Sequence, residues 1–218
     1  MSISSKDLAQ LIDHTLLKPA ATVSELDTLC SEALRFGFFG VCVNPSMVSL
    51  ASWKLRDAFP LPVSVVGFPL GATLSESKAY ETEAVIKLGA REIDMVLNLG
   101  AFKANDDSVV EKDIRAVVRA ASGFPVKVIL ETALLSDDEI VRACKIAVDS
   151  GAAFVKTSTG FGPGGATIEA VRLMRETVGP DIGVKASGGI STYDDAVAMI
   201  EAGANRIGAS ASVAIVSG

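Results

Sequence analysis

The chain has 218 residues, 49% of them apolar and 21% charged, which supplies a real core and excludes a disordered chain. Its formal charge of −6, from 26 acids against 20 bases, comes with no basic stripe interleaved with aromatics, so no nucleic-acid partner is expected. Cys30, Cys42 and Cys144 lack metal-ligand spacing and read as reduced thiols; with no apolar signal core and no run of membrane-span length, the expected address is the cytoplasm, without a membrane partner.

Short strand-like runs alternate with helical patterns along the whole chain. The predicted strands are Ile12–Leu17, Gly40–Asn44, Val63–Phe68, Glu92–Leu97, Val126–Thr132, Phe154–Ser158, Gly183–Ser187 and Arg206–Gly208. Between them, Ser24–Phe36 places Leu26, Leu29 and Ala33 on one helical face, and Ser108–Ala121 does the same with Val110, Ile114, Val117 and Ala121. Ser136–Ser150 and Thr167–Val178 are also helical in period, and Ser191 opens a further helix with Asp194 three residues on, a variant of the capping box. Gly37, Gly89, Gly151, Gly179 and Gly203 stand where these helices should stop.

A strand recurs every 25 to 30 residues or so, the length of one βα unit. No linker, charge run or low-complexity tract divides the chain, so residues 1–218 read as a single domain. Eight βα units predict an α/β fold of the TIM type, a closed (β/α)8 barrel; an open doubly wound sheet is the alternative. Strand parity favours the barrel. Ile93, Met95 and Leu97 alternate with Glu92, Asp94, Val96 and Asn98; Val126, Val128 and Leu130 alternate with Lys127, Ile129 and Glu131. Val41 and Val43 oppose Cys42 and Asn44, and Val184 and Ala186 oppose Gly183, Lys185 and Ser187. Strands covered by helices on both faces would be apolar on both, whereas a polar lumen explains one polar parity.

That parity turns Asp94, Lys127, Lys156 and Lys185 inward from four consecutive strands, joined by Asp13 and Thr15 from the first strand and Cys42 from the second. A structural ion-pair network inside the barrel is the alternative reading; three lysines facing few obvious acids fit it less well, because buried cationic charge in excess is costly. One lysine kept neutral beside a second cation is a nucleophile toward carbonyls, its protonated neighbour can serve as an acid, and Asp94 can accept a proton or orient a water. Lys156 is the better nucleophile, since its strand opens onto the larger glycine loop; Lys185 is the alternative. Gly160-x-Gly162-x-x-Gly165 matches a dinucleotide fingerprint literally, but the next strand carries Lys185 where that fingerprint needs an acid. Gly188-Gly189 and Gly208-Ala209-Ser210 follow strands seven and eight, where barrels of this type seat phosphates. The single histidine, His14, is read as a packing or hydrogen-bonding residue and Cys42 as a small buried apolar group. Trp53 and the pair Phe38-Phe39 are read as core or interface.

Several segments, in order along essentially the whole chain, resemble the deoxyribose-phosphate aldolase family of class I aldolases. They are Leu11-Ile-Asp-His-Thr-Leu-Leu-Lys18, Gly40-Val-Cys-Val-Asn-Pro45, Val66-Gly-Phe-Pro-Leu-Gly-Ala72, Glu92-Ile-Asp-Met-Val96, Lys127-Val-Ile-Leu-Glu-Thr132, Phe154-Val-Lys-Thr-Ser-Thr-Gly-Phe161, Val184-Lys-Ala-Ser-Gly-Gly-Ile190 and Arg206-Ile-Gly-Ala-Ser210. The resemblance implies a (β/α)8 barrel that reversibly cleaves 2-deoxy-D-ribose 5-phosphate to acetaldehyde and D-glyceraldehyde 3-phosphate, without a metal or other cofactor. It implies that Lys156 forms the Schiff base, that Lys185 and Asp94 relay protons, that Cys42, Asp13, Thr15 and Lys127 line the site, and that Gly188, Gly189, Gly208 and Ser210 hold the phosphate. It also suggests a homodimer or other homo-oligomer. Phe161 stands where one branch of the family has a lysine, and the chain stops at Gly218 without the longer tyrosine-ended tail of some members; proton exchange at C2 or substrate preference is expected to differ accordingly. A phosphate-binding barrel decarboxylase or isomerase that uses its lysines only as charges, and a non-catalytic phosphosugar-binding protein, are the competing readings.

Overall fold

The computed structural model describes residues 3–217. In chain order they form α1 (Ser5–Ala9), β1 (Ile12–Leu16), α2 (Val23–Phe36), β2 (Gly40–Val43), α3 (Val48–Lys54), β3 (Leu61–Val66), α4 (Ser75–Lys87), β4 (Glu92–Val96) and α5 (Leu99–Lys103). They continue through α6 (Asp107–Ala120), β5 (Val126–Ile129), α7 (Asp137–Asp149), β6 (Phe154–Lys156), α8 (Ile168–Val178), β7 (Gly183–Ser187), α9 (Tyr193–Glu201), β8 (Arg206–Ala209) and α10 (Ser212–Ser217). Each strand pairs in parallel with the next, and β8 returns to β1, so the sheet closes into an eight-stranded barrel and the open-sheet alternative falls.

The alternation along the strands sorts the side chains as expected. Val41, Val43, Ile93, Met95, Val128, Val155, Val184 and Ile207 are fully buried and pack between the sheet and the helices. Leu26, Leu29 and Ala33 of α2 and Val110, Ile114 and Val117 of α6 meet them from the helix side. The other parity faces the lumen. There β2 and β3 contribute a small apolar wall of Cys42, Val63 and Val65, packed with Leu17. The remaining strands contribute charge.

Helix ends follow the local signals. Thr22 and Ser136 cap α2 and α7 through reciprocal capping boxes with Glu25 and Glu139. The box at α9 lies one residue later than expected, on Thr192 and Asp195, because Asp195 Oδ2 collects the backbone N–H of both Ser191 and Thr192. All five glycines expected to stop helices have positive φ, between 70° and 114°.

Two larger features also depart from the sequence reading, beside shifts of one or two residues at strand ends such as those of β3 and β6. The fifth strand ends at Ile129 rather than Thr132. Leu130 keeps its place in the outer core, but the backbone turns left-handed at Glu131 (φ 56°) and runs into a 3-10 turn at Thr132–Leu134. Glu131 thereby leaves the lumen, and its carboxylate takes the hydroxyl and backbone N–H of Thr159. No clean apolar stripe in the sequence marks helix α4, which buries a lysine instead. Lys78 is fully enclosed, donating to Asp113 of α6 at 2.5 Å and to the Val96 carbonyl at 2.9 Å, with its stem against Gly67. This pair ties two outer helices to the end of β4, and removing either partner would leave a buried charge, at a cost of about 3–5 kcal/mol.

Candidate active site

Seven charged side chains fill the lumen: Asp13, Glu92, Asp94, Lys127, Lys156, Lys185 and Arg206, all 6% exposed or less. Six of them form a closed ring of alternating sign. Glu92 binds Lys127 at 2.6 Å, Lys127 binds Asp94 Oδ1 at 2.8 Å, and Asp94 Oδ2 receives Lys185 at 2.8 Å. Lys185 also donates to Asp13; Asp13 receives Arg206 at 3.0 Å, and Arg206 closes the ring on Glu92 at 2.9 Å. Lys156 stands outside the ring, its Nζ 2.8 Å from the Asp94 Oδ2 that Lys185 also holds.

Strand register explains the arrangement. Asp94 is paired with Lys127 across β4 and β5, and Lys156 with Lys185 across β6 and β7. Glycines supply the remaining space. A Cβ at Gly40 would lie 2.9 Å from the Asp13 carboxylate, and one at Gly208 would lie 3.0 Å from Lys185 Cε. Arg206 stacks on Phe39, 3.4 Å from the ring centroid, which covers the bottom of the ring with an aromatic face.

The charge count sharpens the expectation of three lysines facing few acids and corrects it in part. Glu92 also faces inward and Arg206 is a fourth cation, so three carboxylates balance three cations and the excess is one. Lys156 is that excess. Burial pulls the Lys185 ammonium toward neutrality, but Asp13 and Asp94 outweigh it and hold the proton on well above the ordinary lysine range. Burial would raise Asp94, but Lys127, Lys156 and Lys185 together hold it well below the ordinary carboxylate range; Lys185 and Arg206 likewise outweigh burial at Asp13 and lower it. Burial raises the Cys42 thiol to about 11, so it is neutral and unreactive at pH 7.

Above this ring a cavity of about 380 Å³ opens at the C-terminal mouth of the barrel. Its wall includes Lys156, Thr15, Gly188, Gly189, Gly208 and Ser210. The structure therefore brings the expected nucleophile and the four expected phosphate residues into one space. Asp13, Cys42, Asp94, Lys127 and Lys185 are fully buried beneath it, and of the seven lumen charges Lys156 alone reaches the cavity wall.

The backbone N–H groups of Gly188, Gly189 and Ser210 donate to no protein acceptor among the described residues. Gly188 and Gly189 both have positive φ, 88° and 78°, a run of backbone that turns N–H groups toward an anion. The competing glycine run is occupied structurally. Gly165 lies so close to the Gly188 carbonyl that a side chain would overlap it, and the Ala166 N–H donates to the carbonyls of Ser187 and Gly188. The loop after Lys156 thus buttresses the loop after Lys185 and has no open cradle for a dinucleotide.

His14 faces the helices, 3.0 Å from Ser212 Oγ and 2.8 Å from Glu32. Phe38 is core; Trp53 is exposed, beneath Arg56. Glu92 and Arg206 of the lumen ring, and Lys18 on the cavity wall, are not singled out by sequence reasoning. Parity alone carried a signal for Glu92, which precedes Asp94 by two residues.

A family model described as DeoC/LacD family aldolase matches residues 8–218. A deoxyribose-phosphate aldolase from Listeria monocytogenes serotype 4b is 59% identical over 212 residues, which cover 97% of this chain and 95% of that one. A solved structure from Coccidioides immitis superposes with a TM-score of 0.96 at 43% identity, covering 100% of this chain and 87% of that chain. The deoxyribose phosphate aldolase of Aeropyrum pernix, described as a tetramer, superposes at 0.92 with 35% identity, covering 98% and 91%. On its full-length match and on the geometry above, the chain belongs to the DeoC/LacD aldolase family.

Proposed function

We propose that the protein is a class I aldolase that reversibly cleaves 2-deoxy-D-ribose 5-phosphate to acetaldehyde and D-glyceraldehyde 3-phosphate, with Lys156 as the Schiff-base residue. The observation that carries this reading is the position of Lys156. It is the one lumen cation not balanced by its own carboxylate, and it reaches a cavity whose far wall offers unpaired N–H groups. With Lys156 neutral, the lumen charges balance.

The chemistry then follows from the neighbours. Neutral Lys156 Nζ adds to the C1 aldehyde and gives a carbinolamine. The Lys185 ammonium donates a proton to the departing hydroxyl, leaving a protonated imine on Lys156. The imine draws in the electron pair of the C2–C3 bond as that bond breaks, while the C3 hydroxyl proton passes through a water and Asp94 to the now neutral Lys185. D-Glyceraldehyde 3-phosphate departs; the enamine is protonated at C2 and hydrolysed to acetaldehyde, which restores the amine. The iminium is the electron sink, so the steps as written call on no metal or cofactor. Asp94 lies 2.8 Å from both lysine nitrogens and is placed to pass protons between them. In this reading Thr15 touches substrate, while Asp13, Lys127 and Cys42 set the charge and packing below it.

A cytoplasmic address and self-association belong to the same reading. Three buried free cysteines and the tetramer described for the Aeropyrum pernix protein support them, and none of the described helices is long and apolar enough to cross a membrane. Cleavage of 2-deoxy-D-ribose 5-phosphate, followed by reduction of the triose product in a coupled assay, tests the function. Lys156→Ala should fall to background with the fold intact by circular dichroism. Cleavage that survives this substitution would sink the Schiff-base assignment, and absence of cleavage in the unaltered protein would sink the activity.

A further inference from the structure

We infer that Lys18 is the side-chain cation that recognises the substrate phosphate, exchanging Glu25 for it on binding. This rests on the aldolase reading and adds a specificity-determining residue to it. The strand pairing Asp13↔Gly208 and His14↔Ala209 brings the end of β1 alongside the end of β8. The chain leaving β1 at Leu16, Leu17 and Lys18 therefore borders the same rim as Ala209 and Ser210, and all five line the cavity. Of the residues lining it, Lys156 and Lys18 are the ionisable ones. Lys156 lies at the floor on Asp94, which leaves Lys18 as the cation at the glycine end.

A phosphate monoester carries nearly two charges near pH 7, and unpaired N–H groups alone do not match it. The protein as a whole is acidic, so its general field repels such an anion and the compensation must be local. Lys18 is free to provide it. Its side chain is 54% exposed and its Nζ rests on Glu25, itself 38% exposed. Glu25 does not depend on that contact. As the acid of the α2 capping box it also receives the Thr22 N–H at 2.8 Å and the Thr22 hydroxyl at 3.0 Å. Losing Lys18 leaves it hydrogen-bonded and solvated, so the exchange orphans no group, and an exposed pair of this kind is weak. A dianion flanked by converging N–H donors is the stronger partner.

The test compares kcat/KM for 2-deoxy-D-ribose 5-phosphate with that for unphosphorylated 2-deoxy-D-ribose at low ionic strength. Lys18→Met should lower the ratio of the two about tenfold, the loss of one charge-assisted hydrogen bond, chiefly through KM for the phosphorylated sugar. Lys18→Arg should retain most of the ratio. Glu25→Gln keeps a capping-box residue but removes the competing charge, so it should lower KM for the phosphorylated sugar. A Lys18→Met protein that is folded and keeps the wild-type ratio overturns the inference. Should that variant fail to fold, Glu25→Gln decides: a lowered KM supports the exchange and an unchanged one overturns it. A wild-type protein that cleaves neither sugar would refute the aldolase reading instead, so the two failures are distinguishable.

Discussion

Lys156 and Lys185 sit side by side on neighbouring strands, reach the same carboxylate oxygen, and yet have opposite electrostatic settings. Lys185 is bound between Asp13 and Asp94 and belongs to a balanced ring; Lys156 is added to that ring from above. Their substitutions should therefore differ in stability as well as activity. Lys185→Met opens the ring by breaking two buried ion pairs, to Asp13 and to Asp94, and should cost about 3–5 kcal/mol. Lys156→Met breaks one contact to an Asp94 that Lys127 and Lys185 still hold and leaves no carboxylate without a cation, so it should change stability by no more than about 1 kcal/mol. Urea unfolding at pH 7 measures both, and equal losses would contradict the division. The inward direction of Asp94, Lys127 and Lys185 was legible from alternation along single strands. The ring was not, because Arg206 meets Glu92 across 114 residues of sequence and no local pattern reports where a barrel closes. The same limit hid Lys78, whose partner lies 35 residues away on another helix, and Lys18, whose place on the cavity wall depends on β1 pairing with β8.

Among the elements, the strands and their loops divide the work. In the proposed reaction the lumen ends of β4, β6 and β7 carry the reacting groups, and the loops after β7 and β8 present N–H groups. The loop after β6 holds the loop after β7 in position. Gly165 is the point of contact, so Gly165→Ala should push Gly188 outward. The expected result is a KM for the phosphorylated sugar raised by roughly tenfold, with a smaller change in kcat because Lys156 and its partners lie below the displaced segment. A change in kcat alone would argue against the buttress. Element boundaries were the least legible part of the fold, and for a physical reason. The strand pattern runs on to Thr132, but the backbone turns left-handed at Glu131, whose carboxylate takes the Thr159 hydroxyl. Thr192 takes the α9 cap from Ser191 in the same way, through the reach of Asp195.

At the scale of the whole molecule, the buried charges that the proposed reaction uses also set the stability. Asp13 and Asp94 hold their protons less tightly in the folded protein than in the unfolded chain, because the lumen cations outweigh the effect of burial. Their contribution to stability is complete above about pH 4 and is lost as the pH falls further. Burial likewise depresses His14 despite Glu32, so its contribution is complete above the ordinary value of 6.5 and declines below it. The urea midpoint should be level between about pH 7 and 8, decline below pH 6.5 and fall again below pH 4; above about pH 9 it should also decline, because burial raises the thiols of Cys30, Cys42 and Cys144. His14→Gln should remove the first decline; its persistence would assign that step to another group.

The most direct test of the central claim is borohydride trapping with acetaldehyde, followed by peptide mapping across a pH series. One adduct is expected, on Lys156. In Lys156→Ala the adduct should be lost while the protein stays folded. A folded protein that yields no adduct, or one that carries it on Lys185, would contradict the account.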